Sequence, residues 1–126
     1  MTSGPTTYRR LGRSGLSVSR LVLGTMMFGG RTPEAEAARI IAHAAERGIN
    51  FIDTADTYAG GASEEITGRA IAADRHGWVL ATKLANPNGP GPNRRGLSRK
   101  WIMDETFRSL KRLGTDYIDV LYLHKQ

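Results

Sequence analysis

The chain has 126 residues, 40% of them hydrophobic and 24% charged, with a formal net charge of +6 at pH 7 and no cysteine. That length suits a single domain, and the lack of cysteine excludes disulfides, thiolate metal ligands and cysteine nucleophiles. No apolar run approaches the ~20 residues that a membrane-spanning helix needs. Met1-Thr2-Ser3-Gly4-Pro5 has neither the basic nor the apolar region of a secretory leader. The expected setting is therefore the cytoplasm, with no membrane partner.

The basic balance, with a pI near 10.2, comes mostly from arginine. These arginines are scattered, apart from a cluster at Arg94, Arg95, Arg99 and Lys100. The cluster adjoins Asn86-Pro87-Asn88-Gly89-Pro90-Gly91-Pro92-Asn93, a loop without interleaved aromatics, so no nucleic-acid partner is expected. A cofactor carrying phosphates suits the sign of the charge equally well.

In chain order, residues 8–19 carry two turn signals, Gly12-Arg13 and Ser14-Gly15, and predict a short hairpin. A single grammar then repeats: apolar strand, loop, amphipathic helix, turn. The first strand is expected over residues 20–23, and its helix should open with Thr32 as N-cap and Pro33 at the first helical position. Gly48 should close that helix in the left-handed region. A second strand over residues 49–52 precedes a helix opening at Ser63-Glu64-Glu65, and a third strand spans residues 78–82. The third helix should be capped by Ser98, bury Met103, Phe107 and Leu110 on one face, and end at Gly114. A fourth strand is expected over residues 118–123.

Apolar strands alternating with helices predict an α/β class with a parallel sheet covered by helices. Four such strands make either a small open sheet or half of an eight-stranded barrel, which takes about 250 residues. The chain stops at His124-Lys125-Gln126, directly after the fourth strand and with no helix to cover it. An incomplete domain is the expectation that follows.

Asp53, Lys83 and His124 fall at the carboxyl ends of three successive predicted strands, and Tyr58 lies five residues beyond Asp53. In an α/β barrel that end is where catalytic side chains collect. The four residue types also make chemical sense together. Tyrosine, with an ordinary pKa of about 10, is a poor acid at neutral pH. A neighbouring ammonium eases loss of its proton, and a carboxylate holds the ammonium in place. A histidine can donate to an oxygen that is becoming an alkoxide. None of these groups delivers a hydride, so a redox reaction would require a cofactor.

The segment Asn50-Phe51-Ile52-Asp53-Thr54-Ala55-Asp56-Thr57-Tyr58, continuing to Ala62-Ser63-Glu64, closely resembles the signature of the aldo-keto reductases. Similar likenesses occur at Leu23-Gly24-Thr25-Met26, Ala81-Thr82-Lys83, Gly96-Leu97-Ser98-Arg99-Lys100 and Tyr117-Ile118-Asp119-Val120-Leu121-Tyr122-Leu123-His124. The stretch from Asn93 to Lys100 looks like the branch that includes potassium-channel β-subunit relatives. The resemblance implies a (β/α)8 TIM barrel, of which this chain is the first four β/α units with an N-terminal β-hairpin. It implies reduction of a small-molecule carbonyl, aldehyde or ketone, with NADPH or less often NADH, and without a metal.

By position, the resemblance makes Asp53, Tyr58, Lys83 and His124 the catalytic set. Tyr58 would be the general acid, Lys83 would ease its deprotonation, Asp53 would anchor Lys83, and His124 would orient the carbonyl. Thr25, Met26 and Asp53 would lie near the nicotinamide ribose. Two departures stand out. Ala59 replaces the family's usual glycine after the tyrosine, a change that a negative backbone φ would tolerate. The second half of the barrel, which supplies most of the cofactor grip, is absent from this sequence.

Other residues read more plainly. His43 and His76 are expected at the surface or its boundary, and Trp78 and Trp101 are expected to be structural. Gly24-Thr25-Met26-Met27-Phe28-Gly29-Gly30 is not a dinucleotide fingerprint but an active-site loop, with Met26, Met27 and Phe28 either lining a pocket or packing in the core. Besides a reductase, the alternatives are an inactive half-barrel and a non-catalytic regulatory or binding subunit on the same fold. Exposed strand edges in a half-barrel would favour self-association.

Overall fold

The computed structural model describes residues 7–125; the stretch read for a leader lies outside them. Strands β1 (Tyr8–Arg10) and β2 (Ser17–Ser19) pair antiparallel as the expected hairpin. Strands β3 (Leu23–Gly24), β4 (Phe51–Asp53), β5 (Val79–Leu84) and β6 (Val120–Leu123) follow in that order in one parallel sheet. Helices α1 (Glu34–Glu46), α2 (Ala62–Ile71) and α3 (Arg99–Leu113) fill the three crossovers. The fourth unit is represented among the described residues by its strand alone.

Strand alternation sorts the side chains into two layers. Ile52 and Leu80 face the helices and pack with Ala37, Ile41, Ile66 and Leu113. Phe51, Val79 and Ala81 point to the other face, where they meet Val18 of the hairpin. The hairpin thus plugs the amino end of that second face, and Tyr8 pins it by donating to the Gly48 carbonyl at 2.8 Å. Register carries the alternation onward, pairing Asp53 with Ala81 and Lys83 with Tyr122. Asp53 and Lys83 therefore share the unplugged end of one face.

Several boundaries differ from the sequence expectation, each for a local reason. The ladder of β3 begins only at Leu23, and Asn50 holds the end of the hairpin that precedes it. The Asn50 amide accepts from the Ser19 N–H at 2.8 Å and donates to the Ser17 carbonyl at 3.0 Å. Leu21 and Val22, outside the ladder, are exposed. Helix α1 is capped by Pro33 rather than Thr32, since Thr32 hydrogen-bonds its main chain to Met27 and Gly29 in the preceding loop. Gly48 does take a left-handed conformation, with φ 86°. Ser98 caps α3 by accepting from the Trp101 N–H at 3.0 Å, and Gly114 ends it with φ 65°.

Helix α3 corrects the largest expectation. Met103 and Phe107 are exposed, while Trp101, Glu105, Ser109 and Leu113 form the buried face. Apolar periodicity marks the wrong side here because the inward face carries polar groups with partners in the fold. Glu105 accepts from Asn88 at 2.6 Å, and Ser109 accepts from Arg112 at 3.2 Å. Trp78 and Trp101 are buried, in keeping with a structural role, and His43 is exposed.

Helices α2 and α3 meet at Gly68, where a Cβ would overlap the Leu113 carbonyl and the backbone beside it. Because backbone cannot swing aside as a flexible side chain can, Gly68→Ala should destabilise the fold by about 1–3 kcal/mol. A lowered denaturant midpoint checks this, and an unchanged midpoint contradicts it.

Candidate active site

The site grows from the carboxyl ends of β4, β5 and β6. Asp53 is the last residue of β4, and Lys83 is the fifth residue of β5, so it lies within the strand rather than after it. His124 directly follows β6, its N–H donating to the Leu84 carbonyl at 2.8 Å. Tyr58 opens a short 3-10 turn, Tyr58–Gly61, that leads into α2.

Lys83 Nζ is the hub. It donates to Asp53 Oδ2 at 2.8 Å, to the Tyr58 hydroxyl oxygen at 2.9 Å and to the Thr54 carbonyl at 3.0 Å. An ammonium has three hydrogens, so all are engaged. Tyr58 accepts from Lys83, which leaves its own hydroxyl hydrogen free for another acceptor. Burial opposes the Lys83 charge, but the hydrogen bonds to Asp53 and Tyr58 and the Asp53 charge outweigh it, raising Lys83 above its ordinary value.

The His124 ring stands edge-on to Tyr58, with centroids 6.1 Å apart. Its Nδ1 lies 3.1 Å from the Asn86 side-chain amide nitrogen. With that amide donating, Nδ1 is the acceptor and the proton of the neutral ring sits on Nε2. Burial and the nearby Lys83 charge lower the His124 pKa below its ordinary value. The arrangement can offer two hydrogens, from Tyr58 and from His124 Nε2, to one oxygen.

The residues proposed to flank a cofactor divide. Met26 is 57% exposed. Thr25 is fully buried, and both its N–H and its hydroxyl donate to the Asp53 carbonyl, at 3.1 and 3.0 Å. Thr25 therefore fixes the end of β4, and its hydroxyl is not presented at the face. In the same loop Phe28 packs in the core while Met27 is exposed. Ala59 has φ +50°, opening a left-handed run with Gly60 and Gly61. The negative φ considered from the sequence is not found: the turn that swings Tyr58 toward Lys83 requires positive φ, and Ala59 carries a cost of about 1–2 kcal/mol there.

Sequence reading singled out neither Asn86 nor a polar cluster on the helix side of β5. There Glu64 accepts from Thr82 at 2.7 Å and from Arg112 at 2.6 Å. Motif position hinted at Glu64, but no local pattern announces Glu105 or Arg112 as its neighbours.

An α/β chain with a lysine–tyrosine–aspartate cluster at the carboxyl ends of its strands defines the class. A profile of the Aldo/keto reductase family matches residues 20–126, and the chain belongs to that family. It is 47% identical over 124 residues to a probable voltage-gated potassium channel subunit beta of Arabidopsis thaliana. A protein of the same description from Oryza sativa subsp. japonica is 44% identical over 124 residues. Each alignment covers 94% of this chain and 37% of the relative, so the chain spans well under half of their length. The holo form of an aldo-keto reductase from Bacillus halodurans superposes with a TM-score of 0.85 at 40% identity, over 94% of this chain and 40% of that one. The four parallel strands are accordingly part of a TIM barrel, which periodicity alone left open.

The His124 shift has a definite sign. Its folded-state value lies below the unfolded 6.5, so the unfolded chain takes up the proton first on acidification. His124 thus contributes stability above pH 6.5 that is lost as pH falls through the folded value. NMR titration should place its midpoint below 6.5, with the proton of the neutral ring on Nε2. A midpoint at or above 6.5 contradicts the geometry.

Proposed function

We propose that the whole protein reduces aldehydes or ketones to alcohols with NADPH, or NADH in its place. The observation that carries this reading is the Lys83 ammonium bonded at once to Asp53 and Tyr58. The side chains present fit such a cofactor: they offer a proton and orienting donors at one point but no source of hydride. When bound, the nicotinamide supplies the hydride to the carbonyl carbon. Met26 and Asp53 would lie against its ribose, with Thr25 contributing through the main-chain anchor it provides to Asp53.

Tyr58 would pass its proton to the carbonyl oxygen as charge develops there. Lys83 would stabilise the resulting phenolate, and Asp53 would keep the ammonium aimed. His124, donating through Nε2, would hold the same oxygen. We place the reaction in the cytoplasm, with which the cysteine-free sequence is compatible. No helix among the described residues is long and apolar enough to cross a membrane.

The likeness to plant potassium channel subunits beta favours a second reading, a binding subunit on this fold. Retention of all four site residues supports catalysis over that reading, since binding alone makes no use of a proton donor. In the whole protein, Tyr58→Phe should lower carbonyl reduction by about 10²–10⁴-fold while leaving NADPH binding in place. Turnover like that of the wild type would remove Tyr58 from its role.

For residues 1–126 alone we propose little or no NADPH binding and self-association through the uncovered edges. Leu21 and Val22 at one edge and Leu121 and Leu123 at the other are exposed. Micromolar NADPH binding by calorimetry, or a well-folded monomer on size-exclusion chromatography, would contradict the respective half of this proposal.

A further inference from the structure

Behind the site, three carboxylates are packed together away from water against one partly buried guanidinium. Asp56, in the segment between β4 and Tyr58, Glu64 on α2 and Glu105 on α3 are each 0% exposed. Arg112 on α3 is the cation that faces them, and Asn88 reaches in from the long loop after β5. Glu64 is fully engaged by Arg112 and Thr82. Glu105 accepts from Asn88 at 2.6 Å and has Arg112 at 3.5 Å, both on Oε2. Three buried oxygens are left without a donor: Asp56 Oδ1, Asp56 Oδ2 and Glu105 Oε1.

An ionised carboxylate only accepts hydrogen bonds, so two that face each other satisfy nothing. Buried polar atoms without partners are costly, and buried unpaired charge more so. With every group ionised, this pocket would hold three negative charges against one positive. We propose that Asp56 and Glu105 share one buried proton, and that this bond ties the segment carrying Tyr58 to helix α3, making Asp56 a positioning residue for the site.

One proton eases both problems: it turns an acceptor into a donor, so that one oxygen of each carboxyl is engaged, and it cuts the excess negative charge from two to one. It sits on Asp56, because Glu105 has Asn88 and Arg112 to support its charge and Asp56 has no such donor. Burial pushes the Asp56 carboxyl up to about 8, helped by the hydrogen bond and charge of Glu105 and the charge of Glu64, and opposed by Arg112. The link to the site is short. The Asp56 N–H donates to the Lys83 carbonyl at 3.2 Å, and the Tyr58 N–H donates back to Ala55 at 3.3 Å. Losing the bond between Asp56 and Glu105 would release the turn that aims Tyr58 at Lys83.

Proton linkage supplies a test independent of activity. The folded chain keeps the Asp56 proton up to about pH 8, whereas the unfolded chain loses it near 3.8. Unfolding over that window releases a proton, so stability falls as pH rises through it, by at most tenfold in the folding equilibrium constant per pH unit. Asp56→Asn keeps a donor toward Glu105 and cannot ionise. Measured against it, the wild type should lose folding equilibrium constant steadily between pH 5 and 8. Parallel stability profiles for the two proteins would overturn the proposal.

If the variant does not fold, the carboxyl ¹³C resonance of Asp56 in the wild type decides. Titration near pH 8 supports the shared proton, and titration near 4 overturns it. The positioning role rests on the reductase reading and has its own readout in the whole protein. Asp56→Asn should retain at least tenfold more kcat than Asp56→Ala, with KM alike, and equal losses would overturn that role. Absence of reductase activity in the wild type would instead defeat the proposed function, leaving the stability and NMR results standing.

Discussion

One ammonium organises this molecule's chemistry. Lys83 has three hydrogens and three acceptors, on Asp53, Thr54 and Tyr58, and these come from the end of one strand and the loop beyond it. Each bond removes a degree of freedom from a different part of the rim: the β4 terminus, the main chain after it, and the tyrosine. Because a charged donor strengthens a hydrogen bond roughly twofold over a neutral one, these three bonds give the rim a defined shape. The same saturation explains why the Tyr58 hydrogen has no partner among these groups.

The strand that presents Lys83 has a second face, and the two faces are coupled by alternation. Lys83 points to the plugged face, while its neighbour Thr82 points to the helices and bonds Glu64. Glu64 in turn holds Arg112, which also reaches Ser109 and Glu105. The bonds from Thr82 and Arg112 to Glu64 tie β5, α2 and α3 together behind the site. Gly68 serves the same end by letting α2 approach the backbone of α3.

Much of this was legible in the sequence, and the exceptions share a cause. Alternating strands and helices, the Ser98 cap and the left-handed Gly48 and Gly114 are local signals, and local signals survive folding. Placing Asp53, Lys83 and His124 at strand ends needed only strand order. Helix α3 misled because its periodicity marks an exposed apolar face, while its buried face mixes Trp101 and Leu113 with the polar Glu105 and Ser109. Asn86 meets His124 from 38 residues away, and Arg112 meets Glu64 from 48 away. Contacts of that span leave no pattern in a single sequence. The conformation of Ala59 is a different case: alanine itself favours the negative φ expected there, and only Gly60 and Gly61 after it point to the positive value found.

In the proposed reaction Lys83 and Tyr58 act as one unit rather than as two independent contributors. A double-mutant cycle in the whole protein tests this most directly, comparing Lys83→Met, Tyr58→Phe and the double variant by the rate of carbonyl reduction. Residues that act as a unit are strongly non-additive, so the double variant should be no slower than Tyr58→Phe alone. Losses that multiply would mean that Lys83 works without Tyr58, and would contradict the account.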